Sequence, residues 1–405
     1  MSNISAIALV GQNDNAILTW LTDIFANRAK LYGISVTVID LLGEGWPDKL
    51  NACLAAGQPV FCFSFQGFGM GLSVEAGNLW TSLNVPFISL MGDAPFHSPG
   101  LHSSEGSGLY HLYASEDFQQ VYRDIMNGRN FSAVCGGFYP PNPLADQTPW
   151  HDRDLEIVYV KTGVDPKARR AKWTTLPDKI RGVIEDASAV ALAGQKKTIG
   201  QIVVDAFAAH TMRFGESKAL LLRVCSEVDA YVRAVRAERM LWEVMRHGGH
   251  IFGNWAHIEK TNSRAKFHGP IPADQLDQVY ARSRILLNIS PCTLNFVHER
   301  IVSALMAKAF SISDGTPFLD QALASYPNFK SVLIDGAELP DQIDAHISDI
   351  RKMGASRDSD LLAILDQSRR RAEDEFGVDR FIGEILEMVS MFHLERNSSF
   401  WAYTR

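Results

Sequence analysis

The chain lacks the features that announce several common functions. Its five cysteines, Cys53, Cys62, Cys135, Cys225 and Cys292, form no CxxC pair, and Cys62 lies inside an apolar run. That usage points to reduced thiols and a cytoplasmic setting, with neither a disulfide framework nor a cysteine metal site. No apolar stretch reaches the roughly 18 residues of a membrane-spanning helix. The first residues, MSNISAIALVGQND, also lack the basic-then-apolar pattern of a leader. A soluble protein is expected, with peripheral association at a membrane surface left open. Positive charge is in short supply as well, because 39 lysines and arginines face 46 aspartates and glutamates, a formal net charge of −7. Sequence-independent nucleic-acid binding needs the opposite balance, so no nucleic-acid partner is expected. HExxH, GxSxG and Walker-lysine motifs are absent.

What is present is a long chain with a regular alternation. At 405 residues it exceeds one ordinary core, and two domains are the natural reading. In the first part, ISAIALVG, ISVTVIDL, PVFCFSF, VPFISLMG, GLYHLYAS and FSAVCGGF read as strands, with helical segments at Ala16 to Leu31 and Trp46 to Ala56. Apolar strands alternating with amphipathic helices predict a parallel, doubly wound α/β sheet. The stretch Tyr139 to Asp154, rich in Pro and Asp, interrupts the pattern and reads as an interdomain linker. DLEIVYVKTG then restarts it. Helices follow over Leu176 to Ala193, Thr198 to Phe214 and Glu216 to Met245, so this half is more helical than a plain Rossmann domain. SVLID reads as a further strand, Asp341 to Met353 and Asp360 to Glu375 as surface helices, and Val378 to Phe392 as a closing amphipathic helix.

The segment Lys266 to Asp320 is the most informative. RILLNIS is a strand, SPCTLNF a loop and His298 to Lys308 a helix, and AFSISD is the next strand. This order sets a helix N-terminus, with its free N–H groups and positive dipole end, at the carboxyl edge of a parallel sheet, where anions bind. Arg300 falls in the first helical turn, against the dipole. A phosphate held there would reverse that unfavourable sign. The bland reading has Asn295 capping the helix and Glu299 favouring its dipole.

The run NFVHERIVSALMAKAFSISD, with HIFGNW and FHGPIPADQLDQVYARSRILLNIS before it, resembles the C-terminal signature of GT-B glycosyltransferases of the CgeB-like (spore-maturation-protein-like) type, within the glycosyltransferase family 1/4-like group. The resemblance is strongest over Asp154 to Asp320. It departs from the pattern at Asn295 and Ser303, where many retaining relatives carry glutamates eight positions apart, and at Lys308, where they carry glycine. The resemblance implies a GT-B fold, with two Rossmann-like doubly wound domains facing across a cleft. Residues 1–145 would form the acceptor side and 146–375 the nucleotide-sugar donor side, with 376–405 crossing back to the first domain. It also implies metal-independent transfer of a sugar from a nucleotide-sugar, a UDP-sugar being favoured, to the hydroxyl of a glycan, lipid-linked or protein acceptor in bacterial surface glycan or protein glycosylation. No cofactor is expected. A sugar-nucleotide epimerase or hydrolase of the same fold, or a non-catalytic nucleotide-binding or assembly protein, remains the alternative.

Each candidate site follows a strand. Lys161, Thr162 and Gly163 form a glycine turn that allows backbone to approach a phosphate. Gly253, Asn254 and Trp255, with His268 and Gly269, offer ring faces and turn backbone to a nucleobase, although a buried Trp is the commoner outcome. Asn295, His298, Glu299 and Arg300 complete the donor set, with Glu299 also able to accept from a ribose. In the first domain, GDAPFHSP presents Asp93 and His97 as candidate catalytic bases for an acceptor hydroxyl. QGFGMG lacks GxGxxG spacing and reads as a flexible acceptor-side loop.

Overall fold

The computed structural model describes residues 4–11, 16–212, 217–259, 263–355 and 359–396. The helix ends expected at Phe214 and Glu216, and the leader-region residues before Ile4, lie outside that set. The chain divides into two compact units, Met1–Pro140 with Asp374–Arg405, and Pro141–Glu373.

The first unit contains β1 (Ile4–Val10), β2 (Ile34–Asp40), β3 (Phe61–Phe65), the small hairpin β4 (Ser73–Val74) and β5 (Gly77–Asn78), β6 (Phe87–Met91), β7 (Leu109–Tyr113) and β8 (Phe131–Val134). Its main sheet has the order β2-β1-β3-β6-β7-β8, with every pair parallel. All five residues of β3 and of β6 are buried, which is why they read as continuous apolar runs rather than as alternations. One face is filled by aromatics. Phe25 stacks on Phe63 at 4.5 Å, and Phe381 of the closing helix Val378–Arg396 meets Phe63 at 5.8 Å and Phe138 at 5.4 Å. That helix is also tied down by a two-pronged ion pair from Arg28 to Asp379.

The second unit contains β9 (Leu155–Val160), β10 (His250–Phe252), β11 (Lys266–Gly269), β12 (Ser283–Asn288), β13 (Phe310–Asp314) and β14 (Phe329–Val332), in the order β11-β10-β9-β12-β13-β14. All pairs are again parallel. Strand β11 is not among the strands expected from the sequence. In each sheet the winding reverses once, between β1 and β3 in the first unit and between β9 and β12 in the second. Ligands of doubly wound sheets bind outside the carboxyl ends of the strands at such a reversal.

Between β9 and β10 the chain inserts three mutually packed helices, Asp178–Leu192, Ile199–Ala209 and Lys218–Arg246. Thr198 and Gln201 close the start of the second as a capping box. The third buries charges on its apolar stripe at seven-residue intervals: Asp229, Arg236 and Glu243. Arg236 donates to Asp335 at 3.0 and 2.5 Å, and the two side chains are only 7% and 9% exposed. The stretch expected to be an interdomain linker belongs to the second unit over most of its length. The buried guanidinium of Arg153 donates to the carbonyls of Ser283, Ala307 and Lys308 at 2.7, 2.9 and 3.1 Å and so clamps the stretch to the sheet. No helix among the described residues is long and apolar enough to cross a membrane.

Candidate functional site

At the reversal in the second sheet, β9 ends in Lys161, Thr162 and Gly163, and β12 runs on through Ile289 to His298 into the helix Glu299–Met306. The loop after β9 is held in place by the loop after β10. The N–H of Gly163 donates to the Asn254 carbonyl at 2.9 Å, and the Asn254 N–H donates to Thr162 Oγ1 at 3.4 Å. Gly253, at φ +129°, lies so close to β9 that a Cβ would sit 2.1 Å from the Lys161 carbonyl oxygen. A Cβ on Gly163 would sit 2.1 Å from the Trp255 ring. These glycines are required by close packing of two loops.

That packing corrects the reading of Trp255. Its ring is 1% exposed and belongs to the core, so no face is left on which a base could stack. The ring props up Gly163 instead. His268 lies flat on Phe252 at 4.4 Å and hydrogen-bonds His250 at 3.0 Å, on the edge strands and separated from β12 by two others. Gly269 accepts the Gly253 N–H at 2.7 Å and acts as a strand tie. Thr162 and Asn254 remain exposed at the edge.

The helix start also differs from expectation. His298, not Asn295, is the N-cap, and its Nδ1 accepts the Arg300 N–H at 3.2 Å. Its carbonyl takes the Ile301 N–H at 3.0 Å, so few helix N–H groups are left for a ligand. With Nδ1 an acceptor, Nε2 carries the proton and faces Glu299 at 3.1 Å. Burial holds His298 neutral, and the charges of Arg300, Lys161 and Arg233 depress its basicity further. Those three cations are therefore gathered around one imidazole. Lys161 keeps part of its surface accessible, yet burial of its ammonium, then Arg300 and Arg233, pull its pKa down to about 7. Among the described residues its ammonium has no hydrogen-bond or ion-pair partner. Arg300 reaches Glu299 only at 3.9 Å, and Arg233 reaches Asp229 at 3.5 Å. Lys161 adds a third positive charge beside Arg300 and Arg233 at the positive end of a helix dipole.

Arg233 escaped the sequence reading because it lies on the long inserted helix, far along the chain from the loop it joins. The buried charges interrupting that helix's apolar stripe were the available signal. The same helix holds the loop after β12. Cys292 packs against it, with Arg236 at 3.7 Å from the sulfur, and Gln195 donates to the Cys292 carbonyl at 3.1 Å. Lys308 adopts φ +56° just past the helix end. Ion pairs to Asp146 and Asp366 offset the cost of a left-handed conformation in a non-glycine residue.

Residues 232–386 match the family model described as glycosyl transferase-like. By sequence, no curated protein matches the chain. Among solved structures, a glycosyltransferase from Rickettsia africae superposes with a TM-score of 0.50 at 11% identity, covering 98% of this chain and 100% of the other. The Anabaena protein HepE in complex with UDP and glucose gives a TM-score of 0.45 at 14% identity, covering 96% and 100%. The first likeness establishes the GT-B fold. The glycosyltransferase-like domain spans Arg233, Arg300 and the loops between them, whereas Lys161 lies before it.

The other unit lies largely outside the glycosyltransferase-like domain and has a different edge chemistry. Asp93 is exposed and accepts from Gln66 Nε2 at 3.1 Å. His97, partly buried, stands edge-on to Phe96 at 4.8 Å. The glycine-rich loop read as flexible is anchored: Trp80 Nε1 donates to the Gly69 carbonyl at 2.7 Å, and Met70 is fully buried. Gln66 itself holds φ +62° at the end of β3, a strained conformation that aims its amide at Asp93.

Proposed function

We propose that the protein is a GT-B glycosyltransferase of the CgeB-like type that moves a sugar from a nucleotide-sugar, with a UDP-sugar favoured, to an acceptor hydroxyl. The observation that carries this reading is the convergence of Lys161, Arg300 and Arg233 around His298 at the β9/β12 reversal, with the Lys161 ammonium unpaired among the described residues. A diphosphate there would supply the missing negative charge, and the same cations would stabilise the charge that develops as the anomeric C–O bond breaks. Fixed cations can do this without a divalent ion. Asp93 or His97 would accept the proton of the attacking hydroxyl. A cytoplasmic role in glycosylating a surface glycan or a protein fits the same chemistry.

Calorimetry with UDP, uridine and UDP-glucose tests the donor site. UDP should bind at least tenfold more tightly than uridine, and slow release of UDP from the preferred donor should accompany binding. Equal affinity for UDP and uridine would remove the diphosphate from the account.

A further inference from the structure

The edge strands of the two large sheets are not built alike. β8, β11 and β14 have four residues each; β11 opens on Lys266 and shifts register against β10, and β14 carries Lys330. Shortness, lysine and irregular pairing are devices that keep an open edge from taking up another strand. β2 has none of them. It is seven residues long, ISVTVID, holds no lysine, arginine or proline, and pairs with β1 in unbroken register. The Leu41 N–H donates inward to the Val10 carbonyl at 2.8 Å, so by the alternation along a strand the N–H and C=O groups of Ile34, Val36, Val38 and Asp40 face outward. Among the described residues no strand pairs with that outer edge.

The flanks of β2 narrow the choice of partner. Before the strand stand Lys30, Leu31 at 71% exposure and Tyr32 at 42%; after it stand Leu42 at 70% and the exposed Glu44. Laid antiparallel against a second copy of itself, with Thr37 opposite Thr37, the strand sets Val36 opposite Val38 and Ile34 opposite Asp40. All four outward residues then meet outward residues, as a hydrogen-bonded antiparallel ladder requires. The same register brings Tyr32 toward Leu42 of the second copy and Lys30 toward its Glu44, and the two-fold axis repeats both pairs. Apolar flank meets apolar flank, and each charge meets its opposite. Lys30 donates to Asn27 Oδ1 at 2.9 Å, and neither Lys30 nor Glu44 has an ion-pair partner among the described residues. We propose that β2 is a dimerisation edge, through which two copies of the chain pair antiparallel about Thr37 and join their six-stranded sheets into one. The pairing uses the first unit alone and is independent of the donor site.

Sedimentation equilibrium of the full chain should show a reversible dimer at concentrations up to about 100 µM, the range a small interface reaches. Val38→Pro removes an outward N–H that bonds nothing within the monomer, so it should abolish the dimer and leave the circular-dichroism spectrum unchanged. At the two-fold axis a residue faces its own copy. Thr37→Lys and Thr37→Glu should therefore each weaken self-association about fivefold or more, while an equimolar mixture of the two regains the wild-type affinity. That exchange, on an exposed side chain, decides the matter whether or not Val38→Pro folds. A wild-type chain that stays monomeric, a dimer that survives Val38→Pro in a folded chain, or Thr37 variants that associate no better mixed than alone would overturn the assignment.

Discussion

The carboxyl edges of the two sheets are built from opposite materials. The second unit gathers Lys161, Arg233 and Arg300 around a neutral His298, and the Lys161 ammonium has no ion-pair partner among the described residues. The first unit presents an exposed carboxylate, Asp93, steadied by the amide of Gln66. In the same unit, burial drives His111 of β7 down to about 4 and His102, in the short helical turn before that strand, to about 3, which keeps both neutral. On the reading proposed above, the contrast is a division of labour: the edge where Lys161 is buried without an ion-pair partner favours an anion, and the other offers a proton acceptor.

The largest effect should come from the frame of the cationic edge. Arg236→Met would leave Asp335 buried with Arg239 alone for a partner, and removing one side of a buried pair costs roughly 3 kcal/mol or more. Urea unfolding of the second unit measures it. A loss below about 1 kcal/mol would mean that the long helix is not held through this pair. Next, Arg300→Ala should weaken UDP binding by ~1.5–3 kcal/mol, about 10- to 150-fold, the range for a charge-assisted hydrogen bond. Unchanged affinity in a folded variant would separate Arg300 from the ligand. The smallest binding effect should come from the other edge. Asp93→Asn should leave UDP affinity within about twofold while transfer to the acceptor falls at least a hundredfold, the general-base range. If UDP affinity fell with transfer, the two edges would not divide the work as described.

Much of the fold was legible because parallel strands buried on both faces appear as unbroken apolar runs, and FCFSF and FISLM needed no context. Strand β11 was not, because KFHG alternates exposure at a sheet edge and carries no apolar run. The strand end, loop and helix start at the second reversal were readable as one contiguous stretch from Asn288 to Arg300. Arg233 was not, since its place in the site depends on a long helix folding back onto that loop. His298 as cap and Trp255 as core were hidden for another reason. The same residue types suit a ligand or a scaffold equally, and only burial and hydrogen-bond direction tell them apart.

The central claim is that Lys161 is held ready for an anion, and its protonation reports this most directly. Its pKa of about 7 in the folded chain lies below its ordinary 10.5, so between those values the unfolded chain holds a proton that the folded one has released. Stability of the unliganded protein therefore rises with pH across that window, and the full cost of burying the charge is present below pH 7. A bound diphosphate favours the protonated lysine and reverses the sign. Calorimetry of UDP binding between pH 7.5 and 9, where the charge of the diphosphate is constant, should show affinity falling by about tenfold or more with proton uptake in the wild type. It should be weaker and flat in Lys161→Met, whose unliganded form should also melt higher at pH 7. An affinity independent of pH in the wild type, or an identical slope in Lys161→Met, would contradict the account.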